Sequence, residues 1–291
     1  MSAPLLDPAF VRELEALRRR LRVRARSGSG GEHVASRRGS SAEFLEHRSY
    51  TPGDDLRRMD WLAFARTGEP VLKLFRAEED VVVRLVVDSS ASLATGEPPK
   101  IVQARRLAAA IGYMALASSE RAQVLAASDG VVRMREPVRG RGALAKLLRE
   151  LDTIVPERGT DLARAVDGVL LRAPRPGMLV VVSDFFDAGP VEAALGRAAA
   201  AGHDLALLQV LAPEELDPPW DGDLALEDVE TGEVVDVTID ERARQAYLGR
   251  LGGLLAGLRA TAKRHRGTYV RVSTSEPLLD AVRRFVARAV D

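Results

Sequence analysis

The sequence predicts an α/β protein in which a mostly parallel sheet carries helices on both faces. An apolar, β-branched run at residues 81–87 is typical of a buried parallel strand, and a similar run lies at 178–183. Strand-like and helix-like patterns alternate from residue 81 onward, which favours a parallel sheet with crossover helices. The 291 residues are 46% hydrophobic, enough for a sizeable core.

The first 80 residues are predicted to form a helix, loop and strand extension. The apolar residues that recur at helical spacing are Phe10, Leu14, Leu17 and Leu21. They indicate a helix over residues 8–21. The basic run Arg18–Arg26 favours a solvated face or contacts with an acidic segment, with phosphate binding as an alternative. Residues 27–42 are rich in Gly and Ser and predict a flexible loop.

Residues 43–66 crowd charged and aromatic side chains around a Pro52-Gly53 turn. These side chains are Tyr50, Asp54, Asp55, Arg57, Arg58, Asp60, Trp61 and Arg66. Because isolated buried charges are unfavourable, we expect a hydrogen-bonded Asp–Arg network that packs on the main domain through Trp61. An enzymatic alternative pairs Asp54 with Asp55 and uses His47 as a base, but no nucleophile accompanies them. A strand is predicted at 71–75.

The elements of the main domain follow in a regular order. They are strand 81–87, helix 99–118, a hairpin around Asp129-Gly130, helices 142–152 and 160–172, strand 178–183, helix 190–201, strand 204–210, helix 240–264, strand 268–273 and helix 276–289. The hairpin should add one antiparallel edge strand to the sheet. We therefore expect an extension at 1–80 and a main domain at 81–291.

An acidic insertion interrupts this order at about 214–240. Residues 214–241 contain twelve Asp or Glu and no Lys or Arg. The apolar runs 224–226 and 234–237 flank E-T-G-E and predict a hairpin. It is interpreted either as a cation-attracting or partner-binding flap or as a solvated insertion.

Oxygen-bearing side chains follow the predicted strands of the main domain. Asp88, Ser90 and Ser92 come directly after the strand at 81–87, and Asp184 follows the strand at 178–183. Thr160 opens a helix within R-G-T-D-L. Because ligands bind at the carboxyl ends of strands in open α/β sheets and hard cations prefer oxygen ligands, these residues predict a metal site. The alternative is that they cap helices.

These five residues resemble the metal-ion-dependent adhesion site (MIDAS) of von Willebrand factor A-like domains. That site is written D-x-S-x-S, followed by a distant Thr and a distant Asp. The resemblance implies a von Willebrand factor A-like, Rossmann-like fold. It also implies Mg²⁺, or another divalent cation such as Mn²⁺ or Ca²⁺, with an open position for a carboxylate of a partner protein.

A longer motif gives a second resemblance. Residues 52–66 read P-G-D-D-x-R-x-x-D-W-x-x-x-A-R, and L-K-L-F-R-A-E-E-D and V-V-D-S-S-A-S-L follow. This pattern resembles the bacterial "domain of unknown function fifty-eight" family. The resemblance implies a von Willebrand factor A-like fold with an N-terminal elaboration. It also implies a MoxR-type AAA+ ATPase as partner, in chaperone-like maturation of other proteins.

Composition excludes several other classes of function. The chain has no cysteine, so disulfides, zinc-thiolate sites and thiol catalysis are excluded. Lys plus Arg equals Asp plus Glu at 42 each, and aromatic residues make up only 4%, which argues against nucleic-acid binding. No apolar stretch has the length of a membrane span and no signal peptide is evident, so a cytoplasmic protein is expected.

A binding module is therefore expected rather than an enzyme. One alternative is a metal-dependent phosphoester hydrolase, but the sequence offers no obvious base, nucleophile or second metal cluster for it. The other alternative is nucleic-acid binding through Arg18–Arg26.

Overall fold

The computed structural model describes residues 4–18, 43–76, 81–129, 131–157, 159, 161–173, 175–186 and 191–290. The strands among these residues are β1 (Glu43–Ser49), β2 (Val71–Arg76), β3 (Val82–Asp88), β4 (Arg121–Ser128), β5 (Val131–Met134), β6 (Val138–Arg139), β7 (Met178–Ser183), β8 (Asp204–Leu211), β9 (Gly222–Glu227), β10 (Val234–Ile239) and β11 (Thr268–Ser273). The helices are α1 (Pro8–Arg18), α2 (Trp61–Thr67), α3 (Lys100–Ala117), α4 (Leu144–Asp152), α5 (Leu162–Arg172), α6 (Val191–Ala200), α7 (Pro213–Leu216), α8 (Glu241–Arg264) and α9 (Leu278–Val290).

The described residues divide into two compact units. Residues 4–18 and 81–290 form the larger unit, and residues 43–76 form the smaller one. The sequence prediction placed helix α1 and the smaller unit together in one N-terminal extension. In the structure α1 belongs to the larger unit. Leu5, Leu6 and Leu14 are buried in the core of the larger unit, where α1 packs on α3 and α9. Burial of these leucines accounts for the difference, because apolar area removed from water favours the packed position.

The larger unit contains a sheet whose strand order confirms the predicted fold. The order is β11-β8-β7-β3-β4-β5, and the short β6 also pairs with β4. Neighbouring strands are parallel from β11 to β4, whereas β5 and β6 run antiparallel to β4. Apart from these antiparallel additions, this is the doubly wound order in which the first strand lies in the middle of the sheet. The predicted antiparallel edge strand is β5.

Helices cover both faces of the sheet and bury a core on each. Helices α1, α3, α4 and α9 contribute to one core, and α5, α6 and α8 contribute to the other. Successive residues of the central strands alternate between the two cores: Val180 and Val182 face the first, and Leu179 and Val181 face the second. A strand buried on both faces has no polar side, which explains the continuous apolar runs in the sequence.

The smaller unit contains an antiparallel pair and a short helix. Strands β1 and β2 pair with a register shift between Phe44 and Glu46. Helix α2 begins after Asp60 and ends at Gly68, which has a φ of +74° in the left-handed conformation that favours glycine at helix C-termini. The sequence predicted β2 but neither β1 nor α2.

Several predictions fall outside the described residues. They are the flexible loop at 27–42, the part of the basic run after Arg18, Leu21 at the end of the predicted N-terminal helix, and Thr160. Within the described part of the chain, no helix combines the length and the apolar character that crossing a membrane requires.

Candidate metal centre

Asp88 and Asp184 lie at the carboxyl edge of the sheet, as their positions after two strands predict. Asp88 is the last residue of β3, and Asp184 directly follows β7, which is the parallel neighbour of β3. Both residues are buried. Two buried carboxylates on adjacent strands repel one another unless a positive charge lies near them.

Asp88, Ser90 and Ser92 bring their side-chain oxygens together in one tight turn. The amide of Ser90 donates to Asp88 Oδ1 at 2.9 Å, and the hydroxyl oxygens of Ser90 and Ser92 lie 2.9 Å apart. A 3₁₀ helix at Ala91–Ala94 follows, and its Leu93 is buried in the core. Packing of Leu93 holds the turn against the sheet, so these three predicted ligands are adjacent.

Ser183 fixes the second oxygen of the Asp88 carboxylate. Its hydroxyl donates to Asp88 Oδ2 at 2.6 Å and accepts a hydrogen bond from the amide of Phe185 at 2.9 Å. Phe185 has a φ of +59°, uncommon for a bulky residue, and its ring is buried. The sequence prediction did not include Ser183, although its position directly before Asp184 at a strand end could have indicated it.

The carboxylate of Asp88 carries a charge that its surroundings do not neutralise. Burial and the negative charge of Asp184 raise the pKa of Asp88 to about 6, against the hydrogen bonds from Ser183 and Ser90, which lower it. A raised pKa means that burial and nearby negative charge destabilise the ionised carboxylate by more than its hydrogen bonds stabilise it. Burial and the neighbouring carboxylate of Asp184 therefore disfavour the ionised form of Asp88, and a nearby positive charge would favour it.

Asp184, in contrast, has an internal cation. Lys100, the first residue of α3, is fully buried, and its Nζ lies 2.8 Å from Asp184 Oδ2 and 2.5 Å from Glu215 Oε1. The ammonium is also 5.2 Å from the ring centroid of Phe186, a distance at which cation–π attraction acts. The amide of Ala212 donates to Glu215 Oε2 at 2.8 Å and so holds α7 in place. The sequence prediction did not include Lys100 or Glu215.

The ionisation of this buried triad follows from its charges. Burial lowers the pKa of Lys100, but the carboxylates of Asp184 and Glu215 more than offset that effect, and the pKa lies above its usual value. Burial raises the pKa of Glu215, and the ammonium of Lys100 only partly opposes the rise. The raised pKa of Lys100 keeps its side chain protonated at neutral pH, where the ammonium contacts both Asp184 and Glu215.

Thr160 lies outside the described residues, but its neighbours do not. The amide of Glu157 donates to Ser89 O at 2.6 Å, and Gly159 O accepts from the amide of Asp129 at 3.1 Å. Glu157, three residues before Thr160, therefore contacts the turn that carries Asp88 and Ser90, and Gly159 contacts the end of β4. The cap of α5 is Asp161, whose carboxylate accepts from the amide of Arg164 at 2.8 Å.

The donor set at this edge fits a hard divalent cation. No group of three or more His, Asp or Glu side chains that could hold a metal ion occurs among the described residues. What the edge offers instead is the carboxylate of Asp88, the two serine hydroxyls and the second carboxylate of Asp184. Mg²⁺ is commonly held by one or two carboxylates with water in the remaining positions, and residues of these types could provide such a site.

Asp54, Asp55 and Asp60 in the smaller unit accept hydrogen bonds from backbone amides. Asp54 accepts from the amide of Thr51 at 2.8 Å and from Arg48 Nη2 at 2.6 Å. Asp55 caps a 3₁₀ helix at Leu56–Arg58 by accepting from the amide of Arg57 at 3.0 Å. Carboxylates at such positions stabilise turns and helix starts, since they satisfy amides that have no partner within the helix.

Asp60 has the largest set of partners in this segment. It caps α2 by accepting from the amides of Leu62 and Ala63, both at 3.1 Å. Its Oδ2 also lies 2.9 Å from His47 Nε2 and 3.3 Å from Lys73 Nζ. The hydrogen bond from Ala63 N and those from His47 and Lys73 lower the pKa of Asp60 to about 2. His47 thus contacts Asp60, and not the Asp54–Asp55 pair that the enzymatic alternative requires.

Trp61 is largely exposed, with 59% of the residue accessible to solvent. Its ring meets Phe64 edge to face, with centroids 6.2 Å apart. Packing of Trp61 on the main domain stays a prediction. As the first residue of α2, Trp61 follows the Asp60 cap, and the hydrogen bonds of Asp60 fix this end of the helix without burying the indole.

We expect Asp60→Ala to lower the melting temperature by several degrees, because α2 loses its N-cap and both His47 and Lys73 lose their contact with the carboxylate. Thermal unfolding followed by circular dichroism measures the shift. Asp55→Ala is the matched control, and its shift should be less than half as large, since Asp55 accepts one amide of a single 3₁₀ turn. An unchanged melting temperature for Asp60→Ala, combined with loss of partner binding, would make this segment a recognition surface instead.

Fold and candidate site together define a von Willebrand factor A-like α/β protein with an oxygen-rich edge. The chain belongs to the DUF58 family: the family model described as "Protein of unknown function DUF58" matches residues 46–251. The matched range contains the signature at 52–66 and the strand ends that carry Asp88 and Asp184. The family resemblance seen in the sequence is thereby confirmed.

Two bacterial relatives are similar to this chain. "Uncharacterized protein Rv1480" of Mycobacterium tuberculosis is 33% identical over 289 residues, which cover 97% of this chain and 90% of that protein. "Uncharacterized protein MAV169" of Mycobacterium avium is 33% identical over 159 residues, which cover 52% of this chain and 92% of that protein.

Two solved structures are also similar to this chain. BatB from Bacteroides thetaiotaomicron has a TM-score of 0.45 and 19% identity, with 72% of this chain and 98% of that chain covered. The SpRpn10 VWA domain has a TM-score of 0.40 and 11% identity, with 69% of this chain and 93% of that chain covered. The assignment of the fold rests on the strand order and helix positions described above.

Proposed function

We propose that this protein is a metal-dependent protein-interaction module and that its partner is a MoxR-type AAA+ ATPase, in chaperone-like maturation of other proteins. The observation that carries the proposal is geometric: the buried carboxylate of Asp88 lies in one turn with the hydroxyls of Ser90 and Ser92, which are 2.9 Å apart. A divalent cation supplies a positive charge, and its preferred ligands are the oxygens already gathered there.

The ligands proposed for this cation are Asp88, Ser90, Ser92, Thr160 and Asp184. Mg²⁺ is the ion proposed first, because it dehydrates reluctantly and usually keeps water in part of its coordination shell. A position held by water is one that an Asp or Glu side chain of a partner protein can take. Mn²⁺ and Ca²⁺ are the alternatives, since both also take oxygen ligands.

The contacts around the centre support binding rather than turnover. A general base has to accept a proton, but Lys100 stays protonated between two carboxylates. Ser90 and Ser92 contact each other, and no hydrogen bond from a described histidine or lysine reaches either hydroxyl. A serine nucleophile needs such a base within hydrogen-bond reach, so the geometry favours a ligand role for both serines.

The identity of the partner comes from the family. The chain belongs to the DUF58 family, and the resemblance stated above implies a MoxR-type AAA+ ATPase as partner. A cytoplasmic location is part of this proposal, because the ATP that such a partner uses is available there.

Affinity for the MoxR-type ATPase tests the proposal. We expect removal of Mg²⁺ with EDTA to weaken binding by roughly 30-fold or more, the loss typical of removing one member of a buried charge pair. High salt should weaken binding far less than EDTA does. At 0.1 M salt the field of an exposed charge is screened over a distance of about 10 Å, whereas buried contacts are screened much less. Titration calorimetry in Mg²⁺, in EDTA and in Mg²⁺ with high salt gives the three affinities.

A variant separates the metal of this protein from the metal of the ATPase, which EDTA also removes. Asp88→Asn should bind weakly even with Mg²⁺ present. Asp280→Asn, which removes an exposed carboxylate on α9, should bind like wild type. Equal affinity of Asp88→Asn and wild type in Mg²⁺ would rule out a metal-bridged contact.

A further inference from the structure

The hairpin β9–β10 has one apolar face. In its register Leu226 pairs with Val235, and Leu224 pairs with Val237. Because side chains in a strand alternate between faces, these four residues project to the same side, together with Ile239. We call this set the apolar stripe; its members are Leu224, Leu226, Val235, Val237 and Ile239. The opposite face carries Asp223, Glu227, Val234, Asp236 and Thr238.

Part of the apolar stripe has no covering partner among the described residues. Strands β9 and β10 form a two-stranded sheet of their own, so no third described strand extends it. Leu226 is 46% exposed and Val235 is 49% exposed, whereas Leu224, Val237 and Ile239 are half-buried. The exposed end of the stripe is the end near the turn, away from the contacts between β10 and α8.

Hydrogen bonds connect the turn and the two strands of the hairpin. At the turn, Asp228 accepts from the amide of Glu230 at 2.8 Å, and its own amide donates to Glu233 O at 2.8 Å. Across the strands, Thr238 Oγ1 donates to Asp223 Oδ1 at 2.6 Å. A preformed apolar surface loses little conformational entropy on binding, which favours recognition of a partner.

The hairpin and its flanking residues up to 241 carry only negative charges in the sequence, and Arg242 and Arg244 follow at the start of α8. Residues 214–241 contain twelve Asp or Glu and no Lys or Arg. A second copy of this chain brings the same negative charge, and like charges across an interface oppose association. Anionic membrane surfaces are repelled for the same reason. The charge complement of this surface is a protein segment with Lys or Arg on both sides of an apolar strip.

We propose that the apolar stripe is a docking surface for a basic amphipathic helix of a partner protein. The helix lays its apolar face on Leu226 and Val235, and its flanking Lys or Arg side chains meet the surrounding carboxylates. Helix-in-groove and helix-on-sheet recognition of this kind depends on apolar anchors at helical spacing, with charge setting orientation and specificity. This surface is separate from the proposed metal ligands and requires no metal.

The test uses synthetic peptides and the full chain. The probe is a fluorescein-labelled peptide of Leu, Ala and Lys, long enough for about five helical turns, with Leu on one face and Lys on its flanks. A second peptide has Glu in place of Lys, and a third has the composition of the probe in an order without an apolar face. Fluorescence anisotropy gives the affinity for each, and we expect the probe to bind at least about tenfold more tightly than either control peptide.

Variants of the protein identify the surface. We expect Leu226→Ser/Val235→Ser to weaken binding of the probe about tenfold or more, the size of effect typical of apolar anchors. Leu171→Ser removes a leucine that is 85% exposed on α5 and should bind like wild type. Leu226, Val235 and Leu171 are all exposed, so these variants should fold. Circular dichroism checks that they do.

Charge variants and the metal centre complete the test. Glu227→Gln/Glu233→Gln, which changes two exposed carboxylates without touching the apolar stripe, should weaken binding and reduce its dependence on salt. Asp88→Asn should bind the probe like wild type, so failure of the metal proposal and failure of this one are distinguishable. Unchanged affinity in Leu226→Ser/Val235→Ser, or equal binding of the Lys probe and either control peptide, would overturn the proposal.

Discussion

Lys100→Met is expected to destabilise the protein by about 3–5 kcal/mol, the usual effect of removing one partner from a buried ion pair. The ammonium of Lys100 lies between the carboxylates of Asp184 and Glu215, and its loss leaves both without their cation. For a domain of this size the loss corresponds to a fall in melting temperature on the order of 10 °C. Urea and thermal unfolding in EDTA measure it.

Two comparisons show whether charge is the cause. Lys146→Met removes an exposed ammonium on α4 and should leave the stability almost unchanged. Glu215→Gln in the Lys100→Met background should restore part of the loss, because one of the two uncompensated carboxylates is then neutral. If Lys100→Met and Lys146→Met have the same stability, then Lys100 does not neutralise these carboxylates.

Asp88→Asn is expected to abolish Mg²⁺ binding and to leave the fold intact. The substitution keeps the shape of the side chain but removes a buried charge that the carboxylate of Asp184 opposes. In EDTA the variant should therefore be at least as stable as wild type. Mg²⁺ should stabilise wild type by about 2.7 kcal/mol at a concentration 100 times its dissociation constant, and should not stabilise the variant.

Calorimetric titration of Mg²⁺ and thermal unfolding with and without the ion measure both parts of this prediction. Asp184→Asn provides the contrast: it should also lose Mg²⁺, but it should be less stable in EDTA because Lys100 loses a partner at 2.8 Å. Equal stabilisation of wild type and Asp88→Asn by Mg²⁺ would show that the ion binds elsewhere.

The main domain was predictable because its strands are buried on both faces. Strand β7 was predicted at 178–183 and is found at those residues, since its apolar run at 178–182 is short and rich in β-branched valine, which favours a buried strand over a helix. Strand β1 was not predicted, because E-F-L-E-H-R-S has neither a clean alternation nor an apolar run. Helix α2 has only seven residues, too few to show a helical period, and depends on its Asp60 cap.

The site was predictable only in part. Asp88, Ser90, Ser92 and Asp184 follow strands, and strand order then determines that they meet at one edge. Lys100 contacts carboxylates that lie 84 and 115 positions away in the sequence. No local pattern connects residues so distant, and a lysine at the start of a helix has no typical tendency to be buried. The internal cation could therefore be found only from the structure.

The buried ammonium of Lys100 affects how the protein responds when divalent ions are scarce. Its charge is covalently attached to the chain, so neither a chelator nor dilution can remove it from the carboxylates of Asp184 and Glu215. Small zinc domains, in contrast, unfold when their metal is withdrawn, because metal binding supplies their folding free energy. In this protein a fall in free Mg²⁺ should interrupt partner binding and remove the stabilisation that the bound ion adds, but the protein should stay folded.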